Sequence, residues 1–226
     1  MSAGSSDLDD LDDLALLERW RAGVREAGAV LYRRHFASVS AYFRTRVPEA
    51  LEDLIADTFL AMVESRDRFR GDSAFKTYLF KIARNVYATW LRKNCKREIT
   101  PASDSIAELS GVRQSSLLVK AEELRILLEA LRSVSIDDQD LLELYYFQEL
   151  TAVQVAEIFG GMREATVRSR LRAALGRLAT RYEVIAGRSP AQGEDAVVDL
   201  FKDWLGVLRG QVRHFGSAPD DGEPST

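Results

Sequence analysis

The chain has one cysteine, Cys95, in 226 residues, so it can form no internal disulfide, and its usage fits a reducing compartment. Two histidines, His35 and His214, are too few to build a zinc site. No apolar run approaches the roughly eighteen residues a membrane helix needs, which argues against membrane insertion. The N-terminal stretch carries Asp7, Asp9, Asp10, Asp12, Asp13 and Glu18 where a signal peptide would carry base, so the expected location is cytoplasmic. Dinucleotide and phosphate-loop glycine motifs, H-E-x-x-H and the nucleophile elbow are all missing, and the carboxylates form no recognisable pair. Neither a cofactor nor catalysis by the chain is expected.

What is present is helical periodicity and segregated charge. A hydrophobic fraction of 46% is ample for buried cores, and the length suits one or two small domains. The net charge of −4 would argue against nucleic acid if it were spread evenly, but the acids gather at the N-terminus. Leu8, Leu11, Leu14 and Leu17 begin a first helix that is expected to run to Trp20. A second, over 26–46, carries Val30, Leu31, Phe36, Val39, Tyr42 and Phe43 and should stop at Val47-Pro48; its His35 reads as an ordinary helix residue. A third, over 50–65, places Leu51, Leu54, Ile55, Thr58, Phe59, Met62 and Val63 on one face, with Glu52, Asp53, Asp57 and Glu64 elsewhere.

The most informative stretch is 67–97. Phe75, Tyr78, Leu79, Ile82, Val86 and Trp90 draw one apolar stripe along a fourth helix, expected over 73–96. Arg66, Arg68, Arg70, Lys76, Lys81, Arg84, Arg92, Lys93, Lys96 and Arg97 outnumber the neighbouring acids, so the other face and both flanks suit a polyanion. Just before it, Gly71 can take a positive φ and Asp72 or Ser73 can cap the first turn.

Residues 98–116 have linker composition, rich in serine with Pro101 and Gly111. Periodicity resumes at Leu117 and breaks near Ser135, which can cap the next helix, as can Asp137. A helix-turn-helix pattern follows: Thr151 as cap, Ala156 as the small residue at the crossing, Gly160 and Gly161 as the turn, Val167 as the buried anchor. Its second helix, over 164–180, displays Arg168, Ser169, Arg170, Arg172 and Arg177. A recognition helix enters the major groove by its N-terminal half, which brings Thr166, Arg168, Ser169 and Arg170 nearest to bases and phosphates. The interval from Ala156 to Val167 is one residue longer than the usual pattern, so either the turn carries an insertion or the first helix a bulge.

The strings RFRGDSAF, T-aromatic-L and IARN resemble the promoter-melting segment of bacterial sigma factors of the small extracytoplasmic-function group, with Tyr78 where that segment usually has tryptophan. TVRSRL and the approach LYYFQELT resemble the second DNA-binding domain of the same group. The resemblance covers roughly residues 10–182. It implies an all-α protein with two helical domains: 8–97 for polymerase binding and promoter melting, 98–116 as a flexible linker, and 117–182 carrying the helix-turn-helix. It further implies a non-enzymatic subunit that binds core RNA polymerase and promoter DNA, with an anti-sigma factor as a further candidate partner. Asp53 and Asp57 would meet the polymerase clamp helices. The loop of Phe69, Arg70, Gly71, Asp72 and Ser73 would capture an unstacked minus-ten base, and Lys76, Arg84, Asn85, Arg92 and Lys93 would contact strand and phosphate. Thr166, Arg168, Ser169, Arg170 and Arg172 would read the minus-thirty-five element. The rival reading is a stand-alone helix-turn-helix regulator.

The segment 183–226 lies beyond the resemblance. After a hinge at Ser189, Pro190, Gln192 and Gly193, the residues Val197, Phe201, Trp204, Leu205, Leu208, Val212 and Phe215 make an extra amphipathic helix, expected either to complete the second domain or to dock as a regulatory element.

Overall fold

The computed structural model describes residues 6–44, 46–94 and 115–187, and all regular structure among them is helical. The linker before Ser115 and the stripe from Val197 to Phe215 lie outside the described residues.

The first domain comprises α1 (Ser6–Asp9), α2 (Asp13–Arg21), α3 (Arg25–Arg44), α4 (Leu51–Ser65) and α5 (Phe75–Asn94). The single first helix expected from the leucine spacing is two, because Asp12 interrupts it. The Asp12 carboxylate accepts from the Ala15 amide at 2.8 Å and so starts α2 afresh. Asp13 then ties α2 to α3, accepting from Arg34 at 2.7 Å and lying 2.8 Å from His35 Nε2. Burial alone would raise the Asp13 pKa, but these two neighbours outweigh it and hold it low. His35 is itself buried against Phe75, a structural residue as expected. The two helices approach closely at Gly28, where a Cβ would stand 2.6 Å from the Trp20 ring.

Proline ends α3 as anticipated: the helix stops at Arg44, and Pro48 opens a short 3₁₀ turn, Pro48–Ala50, that leads into α4. Leu16, Leu17, Leu31, Tyr42, Phe43, Leu54, Phe75, Leu79 and Phe80 form the centre of the core. Three residues of the expected stripes face outward instead, Leu14 among them. Phe36 sits beside Tyr32 on the surface, and Val63 is also exposed, because each falls at the edge of its helix's apolar arc. Helix α5 starts at Phe75 rather than at residue 73. Gly71, at φ +78°, bends the chain, and the Ala74 carbonyl accepts the first helical bond, so neither Asp72 nor Ser73 occupies the cap position.

The second domain comprises α6 (Ser115–Ser133), α7 (Ile136–Leu142), α8 (Ala152–Ile158) and α9 (Glu164–Ile185). Ser135 caps α7 through the Asp138 amide at 3.2 Å. Helix α7 continues into a π-helical turn, Glu143–Phe147, before Thr151 begins α8 with a reciprocal capping box to Gln154. The extra residue between Ala156 and Val167 lies in the turn, not in the helix. Gly160 and Gly161 take φ of +84° and +81°, and the amides of Gly161 and Met162 both donate to the Ala156 carbonyl. Helix α9 extends five residues past the expected end at Thr180, since Tyr182 remains buried in the core with Leu127, Leu131, Ala174 and Leu178.

The domains touch. Helix α8 packs on α5, and Leu141, Leu144, Leu150, Val155 and Val167 join the apolar cluster of the first domain.

Candidate nucleic-acid interface

The loop before α5 is built from the inside out. Phe69 is only 7% exposed; its ring stacks on Tyr78 at 4.5 Å and meets the edge of Phe75 at 6.2 Å. The Tyr78 hydroxyl donates to the Ser65 carbonyl at 3.0 Å, joining α5 to the end of α4. From the other side Arg21 donates to the carbonyls of Arg66 and Phe69, while the Arg66 guanidinium lies 4.9 Å from the Trp20 ring. These contacts fix the base of the loop and leave Arg70, Gly71 and Asp72 exposed at its tip, with Ser73 half-buried. The ring of Phe69 is therefore directed into the core and not toward solvent. Arg21 and Trp20 were not legible as parts of this loop, since nothing in their local spacing points 45 residues ahead.

The basic helix divides into two faces. Asn85 and Lys93 line an open groove between α4 and α5 together with Asp57, Leu60, Ile82 and Trp90. Arg92 is exposed near the end of α5 and bonds Thr89 Oγ1. Asp53 and Asp57 are exposed on α4, and beside them Leu60 is 56% exposed, an apolar side chain that periodicity would have placed among the polar ones. On the other face, Lys76 and Arg84 point at the second domain. Lys76 Nζ donates to the Gln148 carbonyl at 2.7 Å. Arg84 donates to Asp140 at 2.9 Å and to Asp137 at 2.7 Å, with its guanidinium 4.2 Å from the centre of the Phe159 ring.

At the helix-turn-helix, Val167 and Leu171 anchor α9 in the interior, and this turns Arg168, Ser169, Arg170 and Arg172 outward, with Thr166 half-buried. Glu164, one turn earlier, accepts from Arg168 at 2.6 Å. Arg177 does not belong to this surface: both its bonds go to Asp138, at 2.7 and 2.8 Å, and the first cause of the lowered Asp138 pKa is that contact. It fastens α9 to α7.

Between the domains lies a polar cluster that the sequence did not announce. Asp140 accepts from the Tyr42 hydroxyl at 2.7 Å and from Arg46 at 3.2 Å, in addition to Arg84. Burial, then the Asp140 charge, pushes the Tyr42 hydroxyl well above its usual pKa. Glu143, also buried, accepts from Gln148 Nε2 at 3.2 Å, and burial raises its pKa to about 7 against the opposing pull of Arg46. No group of histidine, cysteine and carboxylate residues among those described could hold a metal ion.

A tight loop opening a basic helix, joined in one chain to an arginine-faced helix-turn-helix, describes a two-domain DNA-binding protein. The family model for Sigma-70 region 2 matches residues 31–97, and that for Sigma-70, region 4 matches residues 124–178. The RNA polymerase sigma factor YlaC of Bacillus subtilis (strain 168) is 32% identical over 141 residues, spanning 58% of this chain and 78% of the relative. The ECF RNA polymerase sigma-E factor of Escherichia coli (strain K12) is 29% identical over 174 residues, or 72% and 90% of the two chains. The fold is shared with the solved structure of CnrH in complex with the cytosolic domain of CnrY, at a TM-score of 0.57 and 20% identity over 78% of this chain and 99% of that one. The chain belongs to the extracytoplasmic-function group of the sigma-70 family, whose members bind core RNA polymerase and direct promoter-specific transcription initiation. None of the described helices is long and apolar enough to cross a membrane.

Proposed function

We propose that this sigma factor divides its work between a melting domain over 8–97 and a promoter-reading domain over 117–182, acting in the cytoplasm without catalysis of its own. The observation that carries this division is that two separate basic surfaces, the loop with α5 and the N-terminal half of α9, fall in the two segments matched by the two family models.

In this reading Asp53 and Asp57, with Leu60 beside them, face the polymerase. The loop tip of Arg70, Gly71, Asp72 and Ser73 receives a minus-ten base. Phe69 shapes that pocket from beneath by holding the loop to Tyr78, and is not a stacking platform for the base. Extruding a base costs a few kcal/mol, and without an exposed ring the loop lacks the roughly 1 to 3 kcal/mol that aromatic stacking returns. Strand opening therefore depends on the polymerase. Asn85, Arg92 and Lys93 track the separated strand from the groove side of α5, and Lys76 and Arg84 add phosphate contacts once the second domain has moved off them. Thr166, Arg168, Ser169, Arg170 and Arg172 read the minus-thirty-five element in the major groove. An anti-sigma factor is a further partner in this reading.

The test is reconstitution. Purified chain added to core polymerase should start transcription at discrete sites on genomic promoter fragments, and the chain alone should bind duplex DNA weakly. Tight duplex binding without polymerase, together with no initiation in its presence, would instead identify a stand-alone regulator.

A further inference from the structure

Helix α2 reaches across to the loop that opens α5. Its last residue, Arg21, sends one guanidinium to two main-chain oxygens far ahead in the chain: Nε donates to the Arg66 carbonyl at 3.0 Å, and Nη2 donates to the carbonyls of Arg66 and Phe69. The ring of Trp20, one residue earlier, lies 4.9 Å from the Arg66 guanidinium, and Leu14 stands 4.0 Å from the place a Cβ on Gly71 would take. Helix α2 is itself fastened to α3, through Asp13 with Arg34 and His35 and through Trp20 packed on Gly28. The hold on the loop is therefore carried by the body of the first domain. Asp67 adds little to it, being 4.0 Å from Arg21 Nε and 72% exposed.

A peptide unit is planar, so fixing the Phe69 carbonyl also orients the amide of Arg70, the first residue of the exposed tip. The Phe69 ring is fixed separately, by Tyr78 and Phe75. The tip thus departs from a peptide held at both its side chain and its oxygen, and Gly71 turns it at φ +78°. A guanidinium suits this task because its planar fork offers several charge-assisted bonds in a fixed geometry.

Resting on the reading in which this tip receives a minus-ten base, we propose that Arg21 is a positioning residue for base capture, which presets residues 70–73 without touching the DNA. With no exposed ring to stack on, the loop has little binding energy to spend on ordering itself, so its arrangement before contact sets the affinity. Arg21 and the whole of α2 precede residues 31–97, the stretch matched by the region 2 model, so a helix outside that stretch completes the capture loop.

The test uses the full-length chain assembled with core polymerase, and a single-stranded oligonucleotide carrying the non-template minus-ten element of a promoter on which the wild type initiates. Arg21→Met keeps the apolar stem and removes the donors. It should weaken oligonucleotide binding about tenfold, the scale of a lost charge-assisted bond, while affinity for core polymerase and for a duplex minus-thirty-five fragment stays unchanged. Combined with Asp72→Ala, it should add little further loss, because both changes act through the same loop tip. Unchanged oligonucleotide binding in Arg21→Met overturns the proposal. So does a loss shared equally by core and minus-thirty-five binding, which marks a purely structural role, or full additivity with Asp72→Ala. If Arg21→Met loses helical circular dichroism, Arg21→Lys, which keeps the charge but cannot span both carbonyls, is read by the same criteria. A wild type that starts no transcription counts against the sigma-factor reading, whereas normal initiation with unchanged oligonucleotide binding in the variant counts against Arg21 alone.

Discussion

Replacing Glu143 with glutamine should stabilise the protein at pH 8 and do little at pH 5. The carboxyl is buried beside Gln148, Arg46 and Asp140, and its pKa is raised from 4.5 to about 7, first by burial. Between those two values the folded chain holds a proton that the unfolded chain has released, so stability falls as pH rises. The loss begins near the unfolded pKa and is complete just above the folded one. Across pH 5 to 8 the integrated penalty comes to about 2.5 kcal/mol, since each pH unit between the two pKa values costs about 1.4 kcal/mol. The other displaced carboxyls leave this window clear: Asp13 and Asp138 are held low, so their contribution is present above the ordinary aspartate range and is lost only below about pH 4. Glutamine keeps the oxygen that accepts from Gln148 Nε2 at 3.2 Å while removing the ionisation. Urea unfolding followed by circular dichroism at pH 5, 6, 7 and 8 should give a wild-type stability that declines by about 2 to 3 kcal/mol and a variant that is nearly flat. A wild-type curve with no slope in this range, or a glutamine variant that keeps the slope, would refute the assignment of the slope to Glu143.

Phe69→Ala should destabilise the first domain by about 3 to 5 kcal/mol because it empties a core position against Tyr78 and Phe75, and its loss should appear in the melting temperature before any transcription assay. Asp72→Ala, at the exposed loop tip, should leave the melting temperature unchanged and impair initiation on duplex promoters, with rescue on a template already mismatched at the minus-ten element; failure on both templates would remove Asp72 from strand opening. Arg168→Ala or Arg170→Ala should weaken promoter binding by the polymerase complex about tenfold to a hundredfold if the side chain reads a base. A phosphate contact should instead lower affinity on all sequences and flatten the salt dependence, and unchanged binding in both variants would displace them from the interface. Gly28→Ala should cost about 1 to 3 kcal/mol despite the better helix propensity of alanine, since the new methyl overlaps the body of the Trp20 ring at 2.6 to 2.8 Å; a stabilised variant in urea titration would show that α2 yields freely.

Local signals were enough to place most of the helices and to pick out the two strings that resemble sigma-factor segments. Apolar spacing located α3, α4, α5 and α9 to within a few residues, and the Thr151 cap and the Gly160-Gly161 turn were readable because capping and positive φ depend on the residue itself and its near neighbours. The loop before α5 and the first turns of α9, to which melting and promoter reading are assigned above as a proposal, were legible as strings for the same reason. What the chain could not disclose in one dimension were choices made by partners far along it. Phe69 looks like a surface aromatic until Arg21 and Tyr78 draw the loop inward. Val63 and Phe36 fit their stripes, but each stripe is wider than the surface available to bury it. Arg84 reads as a DNA contact from its place on the basic helix, and only the placement of α7 shows Asp137 and Asp140 pairing with it here, while Asp138 pairs with Arg177. Charge of one sign along a helix marks a surface that seeks its opposite, and the partner that meets it is decided by which groups tertiary packing brings within about 3 Å.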